Sequence, residues 1–317
     1  MKENNNNIQD IEVIENMLKI GNFNKMFRVN YNGCRLYVQP TPFAYYSGLT
    51  GALSAATFNG DTNNKRLKGW RENFIDSFGA KNADDYLSMT ADFGSLLHLA
   101  LVTIKENGCI NWEEEKAKAM EYFINCYIVK RIEPNLKVIK QQVYDYQKHV
   151  ASLMQFVYER VHEIYAIEVP AKWEALKIAT PIDLFCSCRQ TEKGEFKKTT
   201  INLKTSSQIT KHHLEQVSCE FEMWNETYGD AEFTAIMRTI DWREKSGPTF
   251  DYKYLNKEQA TELSLNAKQR LKLCLQSDAS YYYEPSNKTF TGVTKIGEKP
   301  IIIEKSLQEE WENAKIA

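Results

Sequence analysis

Two stretches of alternating apolar and polar residues flank a short polar turn between residues 179 and 206. The turn reads Thr191-Glu-Lys-Gly194, a composition that favours a reversal of the chain. Alternation with a period of two predicts a pair of antiparallel strands. A turn centred between residues 192 and 193 pairs residues whose numbers add up to 385, so Asp183 is predicted to lie opposite Asn202. No other segment constrains the fold as strongly.

The same register predicts which side chains share a face of the sheet. Because side chains alternate along a strand, Asp183, Asn202 and Lys204 are predicted on one face. Carboxylate and amide oxygens are ligands that suit Mg²⁺ or Mn²⁺, and a nearby lysine stabilises negative charge on a phosphate. A solvated sheet face would carry the same pattern, so spacing alone leaves both interpretations open. The opposite face, predicted to enter the core, carries Ile182, Leu184, Ile201 and Leu203.

Helical and strand periodicities alternate along the other parts of the 317-residue chain. Their order predicts an α/β (α+β) fold, with a mixed central β-sheet flanked by helices. Helices are predicted over residues 8–20, 62–78, 92–106, 112–131, 137–163 and 211–227, and from Asn256-x-x-Gln259 to about residue 275. Strands are predicted over 25–40 with a turn at Asn32-Gly33, and over 165–205, 232–240, 249–254, Thr289–Val293 and Pro300–Ile303.

These elements predict three regions: an N-terminal helix and strand extension over 1–40, a principal domain over 41–275, and a C-terminal strand pair and helix over 276–317. The chain has no apolar run long enough to cross a bilayer, and its polar start lacks the core of a signal peptide, which predicts a cytoplasmic protein without membrane partners.

Charge and cysteine content exclude several classes of protein. The net charge of −2 excludes a broadly cationic nucleic-acid coat, so any nucleic acid must bind in a local groove. Residues 189–213 are the basic candidate, with six basic and two acidic residues. The seven cysteines include no C-x-x-C pair and argue against a disulfide scaffold or an iron–sulfur cluster. They are predicted to be buried apolar residues.

Several motifs, taken in order, resemble those of the PD-(D/E)XK nuclease superfamily, in its RecB-like and phage-type exonuclease branch. Asp183 followed by Asn202-Leu-Lys204 is similar to the central motif of that branch. The segments Tyr46-Ser-Gly-Leu-Thr50 with Leu67-Lys-Gly-Trp70, Phe93-Gly-Ser-Leu-Leu-His98 and His213-Leu-Glu-Gln216 resemble its entry segment, its histidine helix and its glutamine helix. The resemblance spans residues 43–245 and implies a restriction-endonuclease-like core with N-terminal helical elements.

The resemblance also implies a set of functional residues. The catalytic residues would be Lys204, Asp183, Glu168 and Gln216. The ligands of a Mg²⁺ or Mn²⁺ ion would be His98, Asp183, Asn202 and the main-chain carbonyl of Leu203. Contacts to DNA would come from Ser206, Lys211 and His213. The implied activity is phosphodiester hydrolysis in phage-type DNA replication, recombination or repair, with DNA and proteins of those processes as partners; the oligomeric state is left undetermined.

Three positions depart from the motif, and one of them leaves open whether the protein is catalytically active. Thr180 replaces a glycine, Glu220 replaces a tyrosine, and Asn202 stands where the family has a second acid. An amide carries one negative charge fewer, which weakens binding of a hard cation. Four explanations remain: low activity, compensation by Glu168, a catalytically inactive nucleic-acid-binding protein on the same fold, or an introduced substitution. A further alternative is an unrelated α/β protein whose hairpin only mimics the motif.

Overall fold

A computed structural model describes residues 12–14, 26–31, 34–40, 42–56, 83–129, 133–206, 208–240, 247–276, 285–286 and 289–290. Within this part of the chain, nine strands form one mixed sheet in the order β1-β2-β3-β4-β6-β7-β8-β9, with β5 on the other edge of β6. The strands are β1 (Glu12–Ile14), β2 (Phe27–Tyr31), β3 (Cys34–Pro40), β4 (Phe43–Gly48), β5 (Val161–Trp173), β6 (Ile178–Arg189), β7 (Phe196–Lys204), β8 (Phe233–Thr239) and β9 (Phe250–Leu255).

Six described helices flank the sheet. They are α1 (Leu49–Ala56), α2 (Ala83–Asn107), α3 (Trp112–Val129), α4 (Leu136–Arg160), α5 (Lys211–Thr227) and α6 (Lys257–Gln276). Local sequence explains where three of them begin, because an N-cap side chain accepts a hydrogen bond from a free backbone N–H in the first turn. Asn135 caps α4 and Thr210 caps α5. Asn256 and Gln259 cap α6 reciprocally, as their spacing predicts.

The helices form a layer on each face of the sheet, and each layer buries its own apolar core. Helices α1, α5 and α6 pack on one face, around residues such as Trp173, Phe221 and Trp224; we call this the α5-side core. Helices α2, α3 and α4 pack on the opposite face, around residues such as Phe123 and Leu153; we call this the α4-side core. The molecule is therefore a three-layer α/β structure, which confirms the predicted fold class.

The hairpin register is confirmed. The β6–β7 ladder runs from the pair Leu184–Ile201 to the pair Arg189–Phe196, and the residue numbers of each pair add up to 385. The helix predicted over residues 211–227 is α5, with the same bounds. The helices predicted over 92–106, 112–131 and 137–163 correspond to α2, α3 and α4, although α4 ends at Arg160 because the next residues enter β5.

The prediction of an N-terminal helix over residues 8–20 is wrong where it can be compared with the structure. Glu12–Ile14 is a strand, and it pairs with Arg28–Asn30 of β2. Its β-branched residues Val13 and Ile14 suit a strand, and helical spacing over a short window cannot reveal a partner 14 to 18 residues away along the chain. The sheet also continues across the predicted boundary at residue 41, since Pro40 pairs with Phe43.

In the C-terminal region, Pro285–Ser286 pairs with Thr289–Phe290. The predicted partner segment Pro300–Ile303, the closing helix and the helix over 62–78 lie outside the described residues. Three cysteines, Cys186, Cys188 and Cys219, are buried free thiols as predicted, whereas Cys109 is exposed. Among the described helices, none has the length and apolarity that crossing a membrane requires.

Candidate metal centre

The candidate site lies where β6 changes its pairing partner from β4 to β7. The parallel ladder with β4 ends at Ala179, and the antiparallel ladder with β7 begins at Leu184. Residues 180–183 lie between these two ladders, so this edge of β6 opens beside Asp183. Clefts between diverging strands of α/β sheets are common ligand sites.

The backbone is irregular at the same place. Glu168 of β5, which lies beside Asp183 between the pairs Ile167–Leu184 and Val169–Ile182, has a φ angle of 55°. A left-handed conformation is unfavourable for a residue with a Cβ atom, and such strain is concentrated at functional sites. This observation supports a functional role for the segment.

The irregularity reverses the alternation of side chains in both strands. Before Glu168, Ala166 faces the α5-side core and Ile167 faces the α4-side core; after it, Val169 faces the α5-side core instead. In β6 the reversal occurs at Asp183. Ile182 packs in the α5-side core, whereas Leu184, Ile201 and Leu203 pack in the α4-side core. The prediction that Ile182 shares a face with those three residues is therefore wrong, because the pleat does not run unbroken through Asp183.

Three of the predicted residues converge from three different elements. His98 lies on α2, Glu168 on β5 and Asp183 on β6. One ligand atom from each lies within 4.8 Å of the other two. Nδ1 of His98 contacts the carboxylate of Glu168, and Nε2 of His98 lies 3.8 Å from Oδ2 of Asp183. A histidine and two carboxylates thus surround one small space.

The charges of these groups are strongly coupled. Burial alone would lower the pKa of His98, but the Asp183 and Glu168 carboxylates outweigh it and raise that pKa to about 9. Burial raises the pKa of Asp183, while the charge of His98 opposes the increase. The site concentrates more negative charge than its buried surroundings favour, an arrangement that a cation relieves.

Asp183 also connects β6 to β7. Its Oδ2 accepts a hydrogen bond of 2.7 Å from the backbone N–H of Leu203. In an extended strand the N–H and C=O of one residue point to the same edge. The carbonyl of Leu203 therefore faces the same edge as Asp183, which is the direction that its predicted role as a ligand requires.

Asn202 and Lys204 point from β7 towards α5, as their shared face predicts. Nζ of Lys204 donates to Oε1 of Gln216 at 3.2 Å. The positive charge of Lys204, like that of His98, opposes the increase that burial causes in the pKa of Asp183. Asn202 is 2% exposed, and its Nδ2 donates to both carboxylate oxygens of Glu220 at 3.0 Å. Its Oδ1 is buried and has no hydrogen-bond partner among the described residues. A buried carbonyl oxygen without a partner is rare, and it is suited to receive a ligand.

Glu220 is a site residue that the sequence did not predict. It is 1% exposed, and Nε2 of Gln216 donates to it at 2.8 Å. Burial and the charge of Asp183 raise its pKa to about 8, against the lowering effect of Lys204 and of the two amides. The available signal was its spacing: Gln216, Glu220 and Trp224 follow one another at intervals of four on the buried side of α5.

The three residues predicted to contact DNA lie around the start of α5. Ser206 Oγ donates to the carbonyl of Gln208, and Lys211 is the exposed first residue of α5. His213 has a structural role, because its Nδ1 accepts from the backbone N–H of Thr210. Burial and the charge of Lys204 lower the pKa of His213 to about 4, so its ring is neutral at pH 7. Contacts of these residues with DNA remain a prediction.

Part of the basic segment is already neutralised within the fold. Lys197 contacts Glu195 and Glu232, and Lys198 contacts Asp230. These lysines therefore offer less charge to a nucleic acid than the net charge of the segment predicts.

A scan against protein-family models and a search of curated proteins give no match to this chain.

Proposed function

We propose that this protein is a Mg²⁺- or Mn²⁺-dependent deoxyribonuclease that hydrolyses phosphodiester bonds. The observation that carries this proposal is the convergence of His98, Glu168 and Asp183. Asn202, next to the residue whose N–H donates to Asp183, adds a buried Oδ1 without a hydrogen-bond partner among the described residues. Lys204 lies close enough for its charge to act on Asp183. Acidic, amide and basic groups that are far apart in the sequence thus lie around the segment of β6 between its ladders with β4 and β7.

The available donor atoms fit a hard divalent cation. Glu168 and Asp183 offer carboxylate oxygens, Asn202 an amide oxygen and Leu203 a main-chain carbonyl, whereas only His98 offers nitrogen. A set dominated by oxygen suits Mg²⁺ or Mn²⁺ better than the sulfur- and nitrogen-rich sets that bind zinc. The proton carried by His98 would be released on binding, because a metal ligand must be neutral at its coordinating nitrogen.

The bound cation and the residues around it would have different roles in hydrolysis. The bound cation would polarise the phosphate and lower the pKa of a water molecule. Lys204 would stabilise the negative charge that develops on the phosphate oxygens as the water oxygen bonds to phosphorus and the bond to the leaving oxygen breaks. Gln216 holds Nζ of Lys204 in place. The water loses a proton, and the leaving oxygen gains one.

The biological setting is also part of the proposal. The motif order resembles phage-type exonucleases, so we propose linear DNA as substrate, and replication, recombination or repair in the cytoplasm of a host cell as the setting. Ser206 and Lys211 would contact the DNA backbone at the start of α5. Proteins of the same processes are the proposed partners.

The decisive experiment combines cation binding with DNA degradation. Calorimetry should detect Mn²⁺ binding to the wild-type protein, and Asp183→Asn should weaken it at least about tenfold, because it removes a charged ligand. Incubation of linear DNA with Mn²⁺ should give degradation that falls about 100-fold or more in Lys204→Ala. Lys253→Ala is the matched control, since Lys253 is an exposed lysine on β9.

The possible results separate the hypotheses. Binding of both Mn²⁺ and DNA without degradation would instead favour the catalytically inactive nucleic-acid-binding protein. If the wild-type protein binds neither Mn²⁺ nor DNA, the proposal is wrong and the unrelated α/β protein remains. Degradation that is unchanged in Lys204→Ala would exclude the assigned role of this lysine.

A further inference from the structure

Glu220 interacts with both amides that flank the site. Its carboxylate accepts hydrogen bonds from Nδ2 of Asn202 at 3.0 Å and from Nε2 of Gln216 at 2.8 Å. Among the described residues, Glu220 makes these contacts only as an acceptor. The ionised carboxylate cannot donate, so in that form it requires both amides to turn their NH₂ groups towards it, as they do here.

The orientation of each amide has a consequence at the site. With its NH₂ group on Glu220, Asn202 is left with Oδ1 buried and free. With its NH₂ group on Glu220, Gln216 presents Oε1 to Nζ of Lys204. One buried acid therefore fixes the direction of two carbonyl oxygens. Oε1 of Gln216 faces Lys204, and Oδ1 of Asn202 is turned away from Glu220, on the residue next to Leu203, whose N–H donates to Asp183.

We infer that Asn202 and Glu220 are an exchanged amide–acid pair: Glu220, ionised when a divalent cation is bound nearby, supplies the negative charge absent at Asn202 and orients Asn202 Oδ1 as a ligand for that cation. This inference rests on the proposed function, and it makes Glu220 a positioning residue rather than a catalytic one. It also explains how the site tolerates an amide at the position where the family resemblance predicts an acid.

The exchange predicts that neither position tolerates its reciprocal substitution alone. In Asn202→Asp, two buried carboxylates would lie about as close as the present 3.0 Å contacts, an arrangement that strongly destabilises a fold. In Glu220→Gln, the new NH₂ group would face the NH₂ group of either Asn202 or Gln216, so one of these amides must turn over. The cation then loses a ligand, or Lys204 loses its acceptor, and in both cases the cation loses the negative charge of Glu220.

The double variant Asn202→Asp/Glu220→Gln should restore every contact. Oε1 of the new glutamine would accept from Gln216, and its Nε2 would donate to the new aspartate. Net charge, buried hydrogen bonds and the orientation of Gln216 would all be conserved.

The experiment compares the wild-type protein, the two single variants and the double variant, with two readouts. Without metal and at a pH above the pKa of Glu220, Asn202→Asp should lower the melting temperature by roughly 5 °C or more, and the double variant should recover most of that loss. Under calorimetry, Glu220→Gln should bind Mn²⁺ about tenfold or more weakly than the wild-type protein, the usual effect of losing a residue that orients a ligand. The double variant should return to within about threefold of the wild-type affinity.

Glu226→Gln is the matched control. It removes the same charge from an exposed position on the same helix, where Glu226 contacts Lys268, and it should leave both readouts unchanged. If Asn202→Asp does not fold, recovery of folded protein in the double variant measures the same coupling. The inference is overturned if Glu220→Gln binds Mn²⁺ as well as the wild-type protein, or if the double variant is no better than Asn202→Asp.

Failure of the proposed function would look different. If the wild-type protein binds no Mn²⁺, the cation site and this inference both fail. If the wild-type protein binds Mn²⁺ and Asp183→Asn abolishes binding while Glu220→Gln does not weaken it, the proposed function stands and only the exchanged pair is wrong.

Discussion

At the scale of single residues, the left-handed Glu168 combines a chemical and a conformational role. Its carboxylate contacts His98, while its φ angle of 55° is one that a side chain with a Cβ atom disfavours. The same conformation interrupts the pleat beside Asp183 and lets both acids approach the cleft. Backbone strain and ligand geometry therefore have a common origin in this residue.

The two roles can be separated with a pair of variants. Glu168→Ala and Glu168→Gly both remove the carboxylate, but only glycine adopts a left-handed conformation without strain. We expect Glu168→Gly to be more stable than Glu168→Ala by about 1 kcal/mol in urea denaturation. Lys177, with a φ angle of 50° and outside the site, should show a similar difference between its glycine and alanine variants. A Glu168→Ala protein as stable as Glu168→Gly would show that this backbone is not strained.

At the scale of elements, local sequence explains the hairpin and most helices but not the details of the site. The register of β6 and β7 follows from one turn and an alternating pattern, both of which are local. The strand at Glu12–Ile14 depends on a partner elsewhere in the sheet, so helical spacing misleads there. The reversal at Asp183 depends on the φ angle of Glu168, a tertiary property with no sequence pattern of its own.

The predicted site shows the same limit. His98, Glu168 and Asp183 converge because each lies on an element whose position the fold determines. Glu220 was missed because its importance comes from contact with Asn202 across the space between a strand and a helix. Only the packed structure shows that an acid of α5 lies against an amide of β7.

Helices α3 and α4 are joined by a buried polar contact that should contribute to stability. Tyr146 of α4 is fully buried, and its hydroxyl donates to Glu115 of α3, which is 3% exposed. Tyr146→Phe would leave a buried carboxylate without its donor, at a cost of about 1–3 kcal/mol. Chemical denaturation should show this loss.

Tyr144→Phe is the control, because Tyr144 lies on the same helix but is 42% exposed. The free energy of unfolding of the Tyr144→Phe protein should differ from that of the wild-type protein by less than about 0.5 kcal/mol. Equal effects of the two substitutions would mean that the hydroxyl of Tyr146 contributes nothing beyond an ordinary surface group.

At the scale of the whole molecule, one sheet lies between two apolar cores, and its strands contribute side chains to both of them. Strand β6 contributes Phe185 to the α5-side core and Leu184 to the α4-side core. Unfolding one helical layer would expose the face of strands whose other face packs against the second layer. The candidate metal centre uses both layers, since His98 belongs to α2 and Gln216 to α5.

This arrangement predicts a single cooperative unit that includes both layers. Leu153→Ala, at a fully buried position of α4, should cost about 2–5 kcal/mol by opening a cavity in the α4-side core. If the layers unfold together, hydrogen exchange measured by mass spectrometry should show the amides of α5, on the opposite face, losing protection by the same free energy as those of α4. Leu136→Ala, at an exposed position of the same helix, should change neither. Loss of protection in α4 with unchanged protection in α5 would show that the layers unfold separately, and His98 and Gln216 would then belong to independently stable parts of the molecule.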